Sequence, residues 1–227
     1  MRIAIFSDLH DNLGALLRVE RDAQQRQADR LIFLGDAGHT PTLFAALHAR
    51  DIAGLFGNWE VSGLARLPAP LRDWVAAWPA TLRLGDVLCC HATPDLPAQV
   101  TTTADAVAYM GRGILWSELF PRLHTQEEAR WQAWAALGEA GLVAAFYGHT
   151  HIQQVWRYAD ARWSSFAGPA EFVLPHAADP TKPAAHTCHL IGVGSAGAPQ
   201  DGSALRYALY DDVRRVVNLL ALAPGDY

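Results

Sequence analysis

Short apolar runs punctuate the first half of the chain, and helical periodicity fills the gaps between them. The runs at 2–7, 30–34 and 52–56 have strand length. Between the first two, the pattern predicts a helix over 12–28 with Asp11 or Asn12 as its N-cap. After 30–34 comes a short helix, capped by Thr40 with Pro41 at its first position. Helical segments are expected at 60–66 and 70–77. A hairpin, 81–84 with 87–90, turns at Gly85-Asp86. Residues 95–124 read as short helices and loops. Thr125-Gln126-Glu127-Glu128 has capping-box spacing and predicts a helix to about Gly138. A strand at 142–147 follows, then β segments near 153–158, 162–166, 187–193, 204–210 and 213–220. The Pro- and Ala-rich stretch 175–185 reads as an exposed loop or insertion. Strand and helix alternate and then give way to β structure, an α/β pattern.

Composition narrows the class. The 227 residues suit one domain over 1–227, with a cap-like segment at about 95–140. With 51% hydrophobic and 18% charged residues, a soluble globular protein is expected. A net charge of −5 gives no electrostatic case for long nucleic acid or an anionic membrane. An anionic substrate would need local positive charge, which bound metal would supply. The N-terminal run turns polar too soon for a signal peptide, and no apolar run reaches membrane-spanning length. Cys89, Cys90 and Cys188 form no C-x-x-C pair, so reduced thiols and a cytoplasmic location are expected. Cys89 and Cys90 read as small buried hydrophobes.

The chemistry sits in five islands, each at the end of an apolar run. They are Asp8-Leu9-His10, Gly35-Asp36, Gly57-Asn58, His91 and Gly148-His149-Thr150-His151. Taken singly, most have a plain reading. Asp8 and His10 suit a helix cap and a surface histidine. Gly35-Asp36 suits a turn, Asn58 a left-handed loop position, and His91 a satisfied buried histidine. Two histidines two residues apart after a buried strand are harder to explain without a ligand. Taken together, the islands point to one convergent site for two metal ions.

The series D-x-H, G-D, G-N, H and G-H-x-H resembles the calcineurin-like metallophosphoesterase superfamily, over essentially the whole chain. Gly192-Val193-Gly194-Ser195, Pro199, Asp201-Gly202 and Tyr207-Ala208-Leu209 look like the closing strands of its small bacterial and archaeal phosphodiesterase-like branch. The resemblance implies two mixed β-sheets packed as a sandwich flanked by helices. It implies two divalent metal ions, one held by Asp8, His10, Asp36 and His151, the other by Asp36, Asn58, His91 and His149. Asp36 is the bridging candidate, and Asn58 counts with the catalytic residues too. Mixed N and O ligands suit Mn²⁺ first, with Fe, Zn²⁺ or Ni²⁺ as alternatives. The implied activity is hydrolysis of a small phosphoester by metal-activated water, a diester before a monoester. A phosphomonoesterase acting on nucleotides or phosphoproteins is the second reading, and a non-catalytic interaction scaffold the third.

One island departs from the family pattern. Many relatives read Gly-Asn-His-Asp/Glu, but here the residues are Gly57-Asn58-Trp59-Glu60. The missing histidine is the one associated with the leaving-group oxygen, and an indole N–H is a poor proton donor. His39 is the substitute candidate for the acid, against a plain reading as a polar loop residue. Glu60 reads as a first-turn helix residue before a supporter of the metals. His124, His176, His186 and His189 have no motif context and read as structural or exposed. Trp116, Trp131 and Trp134 read first as packing residues, and second as an aromatic wall over the substrate.

Overall fold

A computed structural model describes residues 1–52, 54–176 and 187–224. The central strands run β1 (Arg2–Phe6), β2 (Arg30–Phe33), β5 (Ala144–Tyr147), β9 (Cys188–Val193), β10 (Leu205–Asp211) and β11 (Val216–Leu222). Around them lie β3 (Thr81–Leu84), β4 (Val87–Cys90), β6 (Gln153–Ala159), β7 (Arg162–Ala167) and β8 (Ala170–Val173). One sheet has the order β2-β1-β10-β11-β8, the other β3-β4-β5-β9-β6-β7. Both are mixed: β1 pairs parallel with β2 and antiparallel with β10, and β5 pairs parallel with β4 and β9 while β9 runs antiparallel to β6.

The two-residue period of a strand sorts side chains to opposite faces. Ile3 and Ile5 of β1, Ala208 and Tyr210 of β10, Ala144 and Phe146 of β5, and Ile191 and Val193 of β9 share the core between the sheets. Their alternates Ala4, Phe6, Tyr207 and Leu209 pack under helices α1 (Leu13–Gln25), α2 (Pro41–Ala49) and α4 (Ala69–Ala76). Ala145, Tyr147, Cys188 and Leu190 pack under α7 (Glu127–Glu139). Burial on both faces is why these strands appear in the sequence as unbroken apolar runs. The arrangement is the expected helix-flanked sandwich.

Several boundaries differ from expectation. The 12–28 helix is Leu13–Gln25, with the Asn12 side chain accepting the Ala15 N–H at 3.0 Å. Among its described residues the 52–56 run yields an isolated bridge from Gly54 to Phe33, as the chain passes close to Trp78 and turns into α3 (Asn58–Gly63). The 60–66 segment therefore starts earlier, and Leu64–Arg66 is a 3₁₀ turn. The 213–220 segment is displaced to Val216–Leu222, and β8 was not anticipated. Thr125 does not cap α7. Gln126 holds that position, and its side-chain oxygen accepts the Arg122 N–H at 2.6 Å. The 175–185 stretch and His186 lie largely or wholly outside the described residues.

Residues 95–140 divide in two. Helix α7 belongs to the outer layer, whereas α5 (Thr103–Met110) and α6 (Trp116–Leu119) pack with Phe56, Val61 and Phe120 beside the strand ends. Among the described residues no helix is long and apolar enough to cross a membrane.

Candidate metal centre

The loops after β1 and β2 continue the parallel ladder past the ends of the strands. Asp8 N–H donates to Gly35 O at 3.0 Å, His10 N–H to Asp36 O at 3.2 Å, and Asp11 N–H to Ala37 O at 2.8 Å. The loop after β9 closes from the other side: Ser195 Oγ and Gly197 N–H donate to Asp8 O at 2.8 and 2.9 Å. The His149 N–H donates to Asp8 Oδ2 at 3.0 Å. Backbone thus fixes each island before any side chain acts.

The side chains meet in two groups, Asp8 with His10 and His151, and Asp36 with His91 and His149, each with potential ligand atoms within 4.8 Å of one another. In the first, the Nε2 atoms of His10 and His151 lie 3.0 Å apart, and 3.8 and 3.3 Å from Asp8 Oδ1. Asp8 Oδ1 is buried without an aligned hydrogen bond. His151 Nδ1 lies 2.7 Å from Ala198 O and His91 Nδ1 lies 3.0 Å from Leu34 O. A carbonyl only accepts, so each Nδ1 carries a proton, which leaves Nε2 as the nitrogen that would ligate once a cation displaces any proton it holds. In the second group, Asn58 Oδ1 lies 3.3 Å from His91 Nε2 and 3.0 Å from His149 Nδ1, and Asp36 Oδ1 lies 3.5 Å from His91 Nε2. Lone pairs crowded around a buried carboxylate fit a cation better than they fit one another.

The electrostatics agree. Burial pushes the Asp8 carboxyl up, but the His10 and His151 imidazoles outweigh it and hold Asp8 well below the usual carboxylate range. Burial opposes protonation of His91, yet the Asp36 charge lifts it to about 9. His149 is lowered to about 4 by burial and by His91. Neighbouring imidazoles with opposite tendencies mark a place where negative charge is concentrated on Asp8 and Asp36.

Five of these ligand positions, Asp8, His10, Asp36, His149 and His151, have φ between 47° and 62°. Asn58 does not. It begins α3, which corrects its reading as a left-handed loop residue. Gly35 has φ +112°, and a Cβ there would lie 2.7 Å from Gly57 N. At Gly148 a Cβ would lie 1.9 Å from Ser7 Oγ and 2.6 Å from Asp8 Oδ2. These glycines let backbone approach where the ligands converge.

Two carboxylates have larger roles than the sequence suggested. Glu60 is 1% exposed and accepts three backbone N–H groups: Asp36 at 2.8 Å, Ala37 at 2.7 Å and Gly57 at 2.7 Å. It is a first-turn residue of α3, as expected, and it also staples two metal loops together. Its signal was the capping spacing from Gly57. Burial and the Asp36 charge push its carboxyl up to about 7. Asp11 accepts from Thr40 N–H and Oγ–H at 2.9 and 2.7 Å and from His39 N–H at 3.1 Å. The Thr40 hydroxyl is engaged there and makes no cap to α2.

Trp59 packs edge-on to His10, with ring centroids 4.4 Å apart, and His39 stacks on Trp59 at 4.2 Å. His39 thus joins neither ligand group. Its Nε2 is buried and has no hydrogen-bond partner. His176 is exposed, and His189 is buried and stacked on Phe172. Trp131 and Trp134 pack with Tyr158, and Trp131 also meets Trp163, as packing residues. Trp116 is 45% exposed and lines a cleft with Asn58 and His149.

Among solved structures, the chain is similar to a metallophosphoesterase from Sphaerobacter thermophilus (19% identity, TM-score 0.68, covering 98% of this chain and 89% of that one). It is also similar to an archaeal phosphodiesterase (15% identity, TM-score 0.50, covering 98% and 100%). At these identities the likeness concerns the fold. No curated protein sequence matches the chain. The model of the calcineurin-like phosphoesterase superfamily domain, in contrast, matches residues 1–213. With that match and both ligand groups in place, the chain belongs to the calcineurin-like phosphoesterase superfamily.

Proposed function

We propose that the chain, acting as one domain, is a binuclear-metal-dependent phosphodiesterase. The observation that carries this reading is the pair of ligand groups at one end of the sandwich, with Asp36 between the loops that bear them. Asp8, His10 and His151 would hold one divalent ion, Asn58, His91 and His149 the other, and Asp36 both. Mn²⁺ is favoured over Fe, Zn²⁺ and Ni²⁺. When bound, two such ions neutralise the phosphoryl oxygens and supply hydroxide from water at neutral pH.

The chain's own part is orientation. Glu60 and Asp11 lock the loops that carry the ligands, and the Leu34 and Ala198 carbonyls fix the His91 and His151 tautomers. Water adds to phosphorus, the bond to the leaving oxygen breaks, and that oxygen must take a proton afterwards. Trp59 cannot donate it. His39 is the candidate from the sequence, and since it stacks on Trp59 it would have to leave the indole face to deliver a proton. Substrates whose leaving group departs unaided are therefore favoured.

The test is chelation followed by reconstitution with Mn²⁺, assayed on a panel of diesters, monoesters and nucleotides. Activity on diesters should vanish and return. Asp36→Asn should lower metal content and reduce turnover by orders of magnitude. Full activity after exhaustive chelation, or an Asp36→Asn variant with two metals and normal turnover, refutes the reading. Turnover confined to monoesters would move it to the phosphomonoesterase class.

A further inference from the structure

The wall facing the second ligand group carries groups that the hydrolytic step does not use. A cleft of about 300 Å³ is bounded on one side by Asn58 and His149 and on the other by Trp116, Ser117, Phe120, Arg122 and Gln126. Trp116 and Phe120 are stacked, with ring centroids 5.6 Å apart and planes 28° apart. Phe120 is buried, and its ring centroid lies 5.9 and 6.0 Å from those of His91 and His149. It braces the Trp116 ring in front of the centre, yet Trp116 itself stays 45% exposed.

Beside it, Arg122 is exposed, and among the described residues its guanidinium has no hydrogen bond or ion pair. In a chain of net charge −5, it places a cation in the same cleft as His149. It is close enough for its charge to bear on the His149 imidazole. Ser117 Oγ and the Gln126 amide add polar groups at the rim. A braced aromatic face, a free guanidinium and polar edge groups are the parts that bind a base and its phosphate. The volume sits at the low end for small-molecule sites, which suits one nucleoside and not an oligonucleotide.

We propose that this cleft is a subsite for the nucleoside of a nucleotidyl phosphodiester, the base lying on Trp116 and Arg122 flanking the phosphate. The proposal rests on the hydrolytic reading of the neighbouring centre and names its substrate class.

The test uses the full, Mn²⁺-loaded chain and two diesters with the same leaving group, thymidine 5′-(4-nitrophenyl) phosphate and methyl 4-nitrophenyl phosphate. Base stacking should favour the nucleoside ester in kcat/KM by about 5- to 150-fold, the range that stacking on an aromatic supports. W116A should collapse that ratio toward one, mainly through KM, and W116F should restore most of it. R122Q should lower kcat/KM on both esters, with R122K recovering part. Binding of adenosine 5′-monophosphate, read by calorimetry, should weaken in W116A as well.

A wild-type ratio near one, or an equal loss on both esters in W116A without rescue by W116F, overturns the subsite. Hydrolysis of the methyl ester with no nucleoside preference removes the subsite and leaves the hydrolase. Trp116-dependent binding of the monophosphate with no hydrolysis of either ester does the reverse.

Discussion

Glu60→Gln separates the metal-free chain from the loaded one. Its carboxylate oxygens accept three N–H groups, two on Oε2 and one on Oε1. An amide keeps one oxygen, so one N–H loses its acceptor and faces an NH₂ group, at a cost of about 1–3 kcal/mol. A second effect opposes this in the metal-free chain. A carboxyl raised from 4.5 to about 7 is harder to ionise in the fold than in the unfolded chain. The charge therefore costs the metal-free fold about 3 kcal/mol above pH 7, a cost that disappears below the unfolded value. Gln removes that charge, so the two effects roughly cancel and the metal-free variant should melt close to wild type at pH 8. Cations at Asp36 would relieve the repulsion in the wild type, leaving only the lost hydrogen bond. The loaded variant should then be weaker by about 2 kcal/mol, or roughly 4–8 °C in Tm for a chain of this length. Metal affinity should fall about 10- to 100-fold, as when other supporting partners of ligands are removed. Differential scanning fluorimetry with chelator and with excess Mn²⁺, plus metal titration, measures both arms. Wild-type metal affinity, or a metal-free variant several kcal/mol less stable, would refute the reasoning.

Four further outcomes are expected. Activated aryl diesters should react far faster than alkyl diesters, since general acid catalysis is worth about 10²–10⁴-fold. His39→Ala should depress alkyl esters selectively if His39 is the acid, and an equal loss on both would remove it from the mechanism. Burial and Arg157 lower His189 to about 4. A neutral histidine in the fold means stability is held above pH 6.5 and lost as pH falls toward 4, by about 3 kcal/mol in total. His189→Phe should flatten that limb of a urea-midpoint-against-pH curve relative to wild type, and an unchanged difference would contradict it. Gly148→Ala would bring a Cβ within 1.9 Å of Ser7 Oγ. It should reduce metal content measured by elemental analysis, and an undisturbed metal load would show that the loop yields.

The candidate ligands were legible because each follows an apolar run, and four of the five runs are strands whose ends leave little freedom of placement. Central strands were legible for the same reason: burial on both faces writes a continuous apolar signature. Strand β8 was not, because only alternate residues are partly covered and its pairing with β11 is long-range. The 52–56 run misled because apolar character reports burial, and Leu55 and Phe56 are buried without being laddered. Glu60 and Asp11 were underread because a carboxylate that binds backbone looks, in sequence, like one that caps a helix. Trp116 could not be told from Trp131 and Trp134, since nothing in the local sequence distinguishes a tryptophan that packs from one that faces a cleft. Only the fold reveals that one fronts the metal centre and two pack behind the other sheet.

The left-handed backbone at five ligand positions bears on how this chain can change over generations. An L-residue held there costs about 1 kcal/mol or more, which glycine escapes. Five such positions amount to roughly 5 kcal/mol, against a net stability of about 5–15 kcal/mol for an ordinary domain. Descendants that no longer need metal would find glycine at His10 or His151 a gain in stability, and drift would erase those ligands first. All five positions in this chain hold that conformation with non-glycine residues, so the candidate site is carried in the least comfortable part of the backbone.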